Sequence, residues 1–489
     1  MRNFKHPSGF VVILNLILIS LFCVKTPESD KGQLVAKVGS KAITTKDILY
    51  RAELTPLPPN VNTVQSVLNN LIAEKLMVFE AEDTSSILAN SNFQAHIRGI
   101  KEQAMRDELY NKTIEKNVQL DEDELQTAFH TSQREYTVSF YNVTAKASTE
   151  AIFDAVEENP DAIQEIYNEI SQSQDESLKK IKWDETEDPR LFRSLYVNRA
   201  EAGEVLAPIR INRSQTLIMR VEDYTTYPMF GGEQEQIRFI DVKNEFYKLE
   251  SMVQWKQYTS TLMHGKELRF DRDSFTRMID MLLPIHTSDT GLIKKEQLDQ
   301  AAETAFSERA AEMDAISDNP LFTFNDEIWT IGDFKNAIAS HPLVYKQKEI
   351  PAEQFPALFK EAVADLILDH MLNEEAYKRS YDKSSEVKAK AEVWHDAILA
   401  KYQLNKTLAA RRAANPSDLP AGRHNAKILE TYIVELRDKY ADQIQIYPKY
   451  LESVKLTHVP LLGFRQNVPY PIAVPSFPFF STADNLIFE

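Results

Sequence analysis

Few residues in this 489-residue sequence are arranged for covalent chemistry. Its 10 histidines are scattered, with His130, His264 and His286 isolated. Carboxylates gather at Glu157-Glu158, between Asp184 and Asp188, and at Glu374-Glu375, in the manner of solvated faces. No glycine-rich phosphate loop, paired-cysteine metal site or nucleophile elbow occurs, so no cofactor and no metal are expected. One thiol remains, that of Cys23. A single cysteine excludes a disulfide within the chain.

The surroundings of Cys23 give that thiol a use. Arg2 and Lys5 precede an apolar run from Phe10 to Phe22, broken only by Asn15 and Ser20. This is the layout of an export signal, and it is short for a membrane span. Residues 1–23 therefore read as a signal, with Cys23 as a lipid attachment site and the mature N-terminus. Ser20-Leu21-Phe22-Cys23 resembles a bacterial lipobox, with Phe22 where a small residue is usual. An uncleaved anchor and an ordinary cleaved signal stay open beside it. The expected location is the periplasm, with a lipid anchor in an envelope membrane. A net charge of −17 argues against nucleic acid as a partner, because phosphate binding needs a basic face.

The rest of the chain is too long for one domain, and an internal repeat organises it. Val35-Ala-Lys-Val-Gly-Ser-Lys-Ala-Ile-Thr44 and Leu321-Phe-Thr-Phe-Asn-Asp-Glu-Ile-Trp-Thr330 both alternate, turn, and lead into a helix. Thr44 with Asp47, and Thr330 with Asp333, have the spacing that caps a helix start. Amphipathic helices follow, carrying Leu68, Leu71, Ile72, Leu76 and Phe79 in one copy and Phe359, Val363, Leu366, Ile367 and Met371 in the other. A short strand near Leu268 closes the first copy, and one near Ile444 closes the second. The first copy carries an excess of about 110 residues, the size of a small inserted domain.

This order resembles the SurA/PpiC group of bacterial envelope chaperones, which carry parvulin-type prolyl isomerase domains. The opening Val35 to Thr44 looks like that family's start. Lys116-Asn-Val-Gln-Leu-Asp-Glu-Asp-Glu-Leu125 followed by Tyr136-Thr-Val is similar to its approach to the isomerase domain. Gly203-Glu-Val-Leu-Ala-Pro208-Ile and Leu217-Ile-Met-Arg-Val221 look like a parvulin module's end. The resemblance implies a mostly helical α+β protein with two SurA/trigger-factor-like helical lobes and an inserted parvulin-like α+β domain. The first lobe would comprise 34–134 plus 226–283, the insert 135–225, a helical connector 284–318, and the second lobe 319–458. Residues 459–489 form a Pro/aromatic extended tail.

The function implied is that of an envelope chaperone binding unfolded or nascent envelope proteins, and aiding outer-membrane protein folding. One departure bears on mechanism. Phe140 and Leu217 occupy the places of two histidines that parvulins keep, and residues 135–225 contain no histidine. Isomerase activity is therefore expected to be weak or absent, with no catalytic residue assigned. An active prolyl isomerase and a structural lipoprotein subunit of an envelope assembly complex are the alternatives.

Client-binding candidates lie on the helical stripes: Leu76, Met77 and Phe79 in the first lobe, and Met371, Leu372 and Tyr377 in the second. For any one of these residues, a place in its lobe's core is the preferred reading. In the tail, five prolines among Phe464, Tyr470, Phe477, Phe479 and Phe480 forbid a helix. That segment is expected to lie as a strap on the protein's own lobes, or to mimic a client in its groove.

Overall fold

The computed structural model describes residues 32–54, 63–84, 86–144, 146–173, 176–186, 188–212, 215–228, 231–286, 292–294, 310–346, 349–414, 421–456 and 463–476. The signal, Cys23, much of the connector, and Pro460, Phe477, Pro478, Phe479 and Phe480 of the tail lie outside them. Among the described residues no helix is long and apolar enough to cross a membrane.

The chain opens with antiparallel β1 (Leu34–Val38) and β2 (Lys41–Thr44), joined at Gly39. Gly39 has φ +56, and a Cβ there would come within 2.4 Å of the Phe79 ring, so the turn needs glycine. α1 (Thr45–Glu53) follows directly. Asp47 N donates to Thr44 Oγ1, and Thr44 N donates to Asp47 at 2.8 Å, the reciprocal cap expected from the spacing. α2 (Val64–Thr84) and α3 (Ser91–Tyr110) complete this stretch.

Residues 110–264 form a compact unit of their own. It contains α4 (Glu122–Thr131), β3 (Arg134–Val143), α5 (Lys146–Glu158), α6 (Ala162–Ser171), β4 (Ser177–Ile181), α7 (Pro189–Phe192), β5 (Ile209–Asn212), β6 (Gln215–Thr226) and α8 (Gly232–Met263). Its strands make one antiparallel sheet in the order β4-β3-β6-β5. Alternation sends Val138, Met219 and Val221 to one face, where they pack with Leu125, Phe192, Tyr196, Val242 and Phe246. Tyr141, Val143 and Ile218 face the other way, onto Ile152, Ile163 and Tyr167. Thus α4 and α8, expected in the first lobe, pack on the insert's sheet. Their apolar stripes have that sheet as partner, and the unit is wider than 135–225.

The other described residues form the second compact unit. Beyond α8 come β7 (Leu268–Phe270), α9 (Arg272–His286), β8 (Leu292–Lys294), α10 (Ala310–Asp314), β9 (Pro320–Phe324), β10 (Glu327–Thr330), α11 (Ile331–Ser340), β11 (Glu349–Pro351), α12 (Phe355–Lys378), α13 (Ser385–Ala414), α14 (Ala421–Lys439) and β12 (Ile444–Ile446). The expected connector is not all helical, because β8 pairs with β11. β9 and β10 turn through Asn325 and Asp326 at φ 50 and 67, and the Thr330–Asp333 cap starts α11.

The closing strands take partners across the two expected copies. β7, the first copy's closing strand, pairs with β9 in the order β10-β9-β7. β12, the second copy's, pairs with β1 in the order β12-β1-β2. One core accordingly joins Val35, Ile48, Leu68, Ile72 and Leu76 to Leu399, Leu404, Ile433 and Leu436 from the far end of the chain. A second, aromatic centre sits around β9 and α12. There the Phe322 and Trp329 rings stack at 5.3 Å, and Phe334 meets Phe359 at 5.8 Å. The fold class is α+β, mostly helical with small antiparallel sheets.

Candidate functional site

α2 decides the fate of two sequence candidates. It is buried on every side from Ser66 to Val78, polar Asn69, Asn70, Glu74 and Lys75 included, and Leu76 and Met77 are both 0% exposed within the core. Leu372 is 3% exposed. None of these three can meet a client where it stands, which corrects their client-binding candidacy and agrees with the core reading of the stripes. Phe79 is partly buried against the same core, its ring 5.9 Å from that of Tyr440. Met371 is half-buried. Tyr377 alone of the six is open, at 41%.

Tyr377 lines a cleft of about 460 Å³ walled by α3, β10, α11 and α12. β10 is the edge of its sheet, and its Ile328 is 61% exposed on the cleft wall. Adjacent Trp329 turns inward against Phe322, and its indole N–H has no hydrogen-bond partner. Two large apolar residues in succession on a strand cannot share one face. Glu327-Ile-Trp-Thr330 therefore places Ile328 and Trp329 on opposite faces of β10, and the sequence does not say whether both faces are covered.

Polar groups fix the cleft's geometry. Glu102 on α3 accepts from Tyr377 Oη at 3.2 Å and from Asn373 Nδ2 at 3.3 Å on α12. Burial and the Glu102 charge push the Tyr377 phenol up to about 12. Arg106 donates to Asn373 at 2.7 Å and pairs with Asp369 at 3.2 Å; Asp369 also contacts His341 Nε2 at 2.7 Å. Burial would raise the Asp369 carboxyl, but Arg106 and His341 outweigh it and hold the group low. The result is a trough lined mostly by polar side chains, with Ile328, Leu366 and Tyr377 as apolar patches among them, suited to non-covalent binding of an extended chain.

Phe140 and Leu217 share one face of the other unit's sheet, since Phe140 lies opposite Met219 and Asn142 opposite Leu217. Both pack, partly buried, on the apolar cluster beneath. A polar cluster lies elsewhere in that unit. Ser139 Oγ is 2.7 Å from Tyr167 Oη and donates to Glu222, which Arg220 clamps at 2.8 and 2.9 Å. These groups satisfy one another inside the module.

No protein-family model matches the chain, and no curated protein matches it. Two solved structures are similar in part. A SurA-like chaperone from Campylobacter jejuni is 15% identical, covering 47% of this chain and 96% of that one, with a TM-score of 0.14. The foldase PrsA from Lactococcus lactis is 14% identical, covering 57% and 99%, with a TM-score of 0.12. At such TM-scores neither likeness bears on what this chain does.

Proposed function

We propose that this chain is an envelope chaperone that holds unfolded client proteins, outer-membrane proteins among them, from a lipid tether at Cys23. In this reading its lobes are SurA-like, and its parvulin-like module has lost catalysis. The observation that carries the proposal is the open cleft at the β10 edge, with exposed Ile328 and Tyr377 on its walls. A strand edge offers main-chain pairing to any extended chain, and the apolar faces of Ile328 and Tyr377 add affinity without demanding one sequence. Such holding needs no nucleotide. The apolar Phe140 and Leu217 support lost catalysis, because lowering an imide barrier of roughly 18–20 kcal/mol takes a shaped, preorganised pocket.

The test is light scattering of an outer-membrane barrel protein diluted from urea. Wild type is expected to suppress its aggregation. Ile328→Asp combined with Tyr377→Ala is expected to weaken client affinity at least about tenfold, since a buried isoleucine contributes about 1.5–3 kcal/mol. The variant's Tm should stay within a degree or two of wild type. Aggregation unchanged by wild type would sink the chaperone reading, and stable co-purification with one partner would then favour a structural envelope subunit. Turnover of a proline-containing peptide would overturn the loss of catalysis.

A further inference from the structure

The described part of the tail, 463–476, is a small hairpin. Phe464 bridges Ile472, Arg465 N donates to Pro471 O at 2.7 Å, and Ala473 N donates to Gly463 O at 2.7 Å. Its seat is a helix side chain. Gln103 of α3 donates from Nε2 to Tyr470 O at 2.8 Å and accepts from Tyr470 N at 2.9 Å. A primary amide used in this way reproduces the two bonds of a neighbouring strand, and it reads main chain instead of sequence. The Tyr470 ring descends beside Gly99, and its hydroxyl donates to Ser340 O at 2.8 Å. A Cβ on Gly99 would lie 1.8 Å from Ser340 O and 2.2 Å from Tyr470 Oη, so the slot exists only because residue 99 is glycine. His96 meets the same ring edge-on at 5.0 Å.

This seat adjoins the cleft. Ser340 lines it, as do Arg98 and Glu102, the chain neighbours of Gly99 and Gln103. The hairpin's own apolar residues are not all used for sealing, because Phe464 and Ile472 stay 48% and 52% exposed. Pro469 and Pro471 flank Tyr470 and bias it to an extended form before it docks.

We propose that the hairpin 463–476 is a tethered occupant of a main-chain-reading peptide seat on α3, and that an incoming extended segment competes with it. The proposal rests on the client-binding reading and adds its regulation. Because the hairpin belongs to the same chain, its effective concentration at the seat is on the order of millimolar, so a free segment competes at a disadvantage until the hairpin lifts. Asp107 strengthens the hold by pairing with Arg465 at 2.6 Å and Lys390 at 2.9 Å.

The experiment uses the full chain and two probes, an unfolded outer-membrane barrel protein and a fluorescein-labelled peptide of residues 463–476. Tyr470→Ala is expected to take up the peptide, which wild type excludes, and to bind the barrel protein about tenfold more tightly. Tyr470→Phe, which keeps the ring and loses the hydroxyl, should show a smaller gain and guards against misfolding of the alanine variant. Adding Gln103→Leu to Tyr470→Ala should abolish peptide uptake. Lowered Tm in both tyrosine variants, with no peptide uptake and no gain in client affinity, would overturn the proposal and make the hairpin a structural strap. Peptide uptake by Tyr470→Ala with no binding of the barrel protein by any form would uphold the seat and sink the chaperone reading.

Discussion

Asp396 ties α13 to β2 and α2 inside the long-range core. It is fully buried, and it pairs with Lys75 at 2.7 Å and Lys41 at 3.0 Å. Burial alone would raise its pKa, but His395, Lys75 and Lys41 outweigh that and hold the carboxyl well below its usual range. A carboxylate depressed in the native state contributes stability above its unfolded value of about 3.9, and that contribution drains away as pH falls further. Asp396→Asn leaves buried Lys75 with only the more distant Glu74 carboxylate at 3.8 Å, at a cost of up to about 3–5 kcal/mol near neutral pH. Urea melts at pH 7 and pH 3 check both statements. Wild type should lose stability between them, and the variant should start lower and change less. If the two melted alike at pH 7, the pair would have no structural weight.

At the level of elements, the helix caps were legible in sequence. Thr44→Ala and Thr330→Ala should each cost about 1 kcal/mol, read as a lower denaturant midpoint at unchanged slope. The strand-turn-strand openings and the amphipathic helices also followed from spacing. Strand partnership did not. Alternation says which face of a strand is apolar, but not which edge receives it. Leu268–Phe270 and Ile444–Ile446 are three-residue strands of the same pattern, so each copy looked self-contained while the strands pair otherwise. The stripes misled for a related reason. Leu76 and Met77 sit on a helix buried on every side, and a periodic pattern cannot show that a second layer, α13 and α14, covers it. The cleft was partly visible, through Tyr377. The tail's seat was not, because Gln103 looks like any polar residue on a helix until the chain's far end lies on it.

For the molecule as a whole, strand exchange makes the two halves mutually dependent. A cut between 300 and 301 leaves β1, β7 and β8 in one piece and their partners β12, β9 and β11 in the other. Co-expressed as separate chains, 1–300 and 301–489 should co-purify on a tag carried by either, surviving moderate salt because the shared core is apolar. Two pieces that elute apart, each folded, would refute the exchanged pairing. Residues 110–264 should keep their own fold within the first piece, since their sheet draws no strand from elsewhere.

The pairing of Ala36 with Ile446 also sets a timetable. A chain emerges from the ribosome N-terminus first, so β1 and β2 form their hairpin early and then wait with one edge bare. Closing a loop of about 400 residues by chance has an entropic cost of about 5 kcal/mol. Segments such as 110–264, complete once residue 264 is out, fold in the interval and shorten the effective loop. Until residue 446 arrives, the bare edge of β1 is open to pairing with the wrong chain. The first strand to be made is the last to be covered.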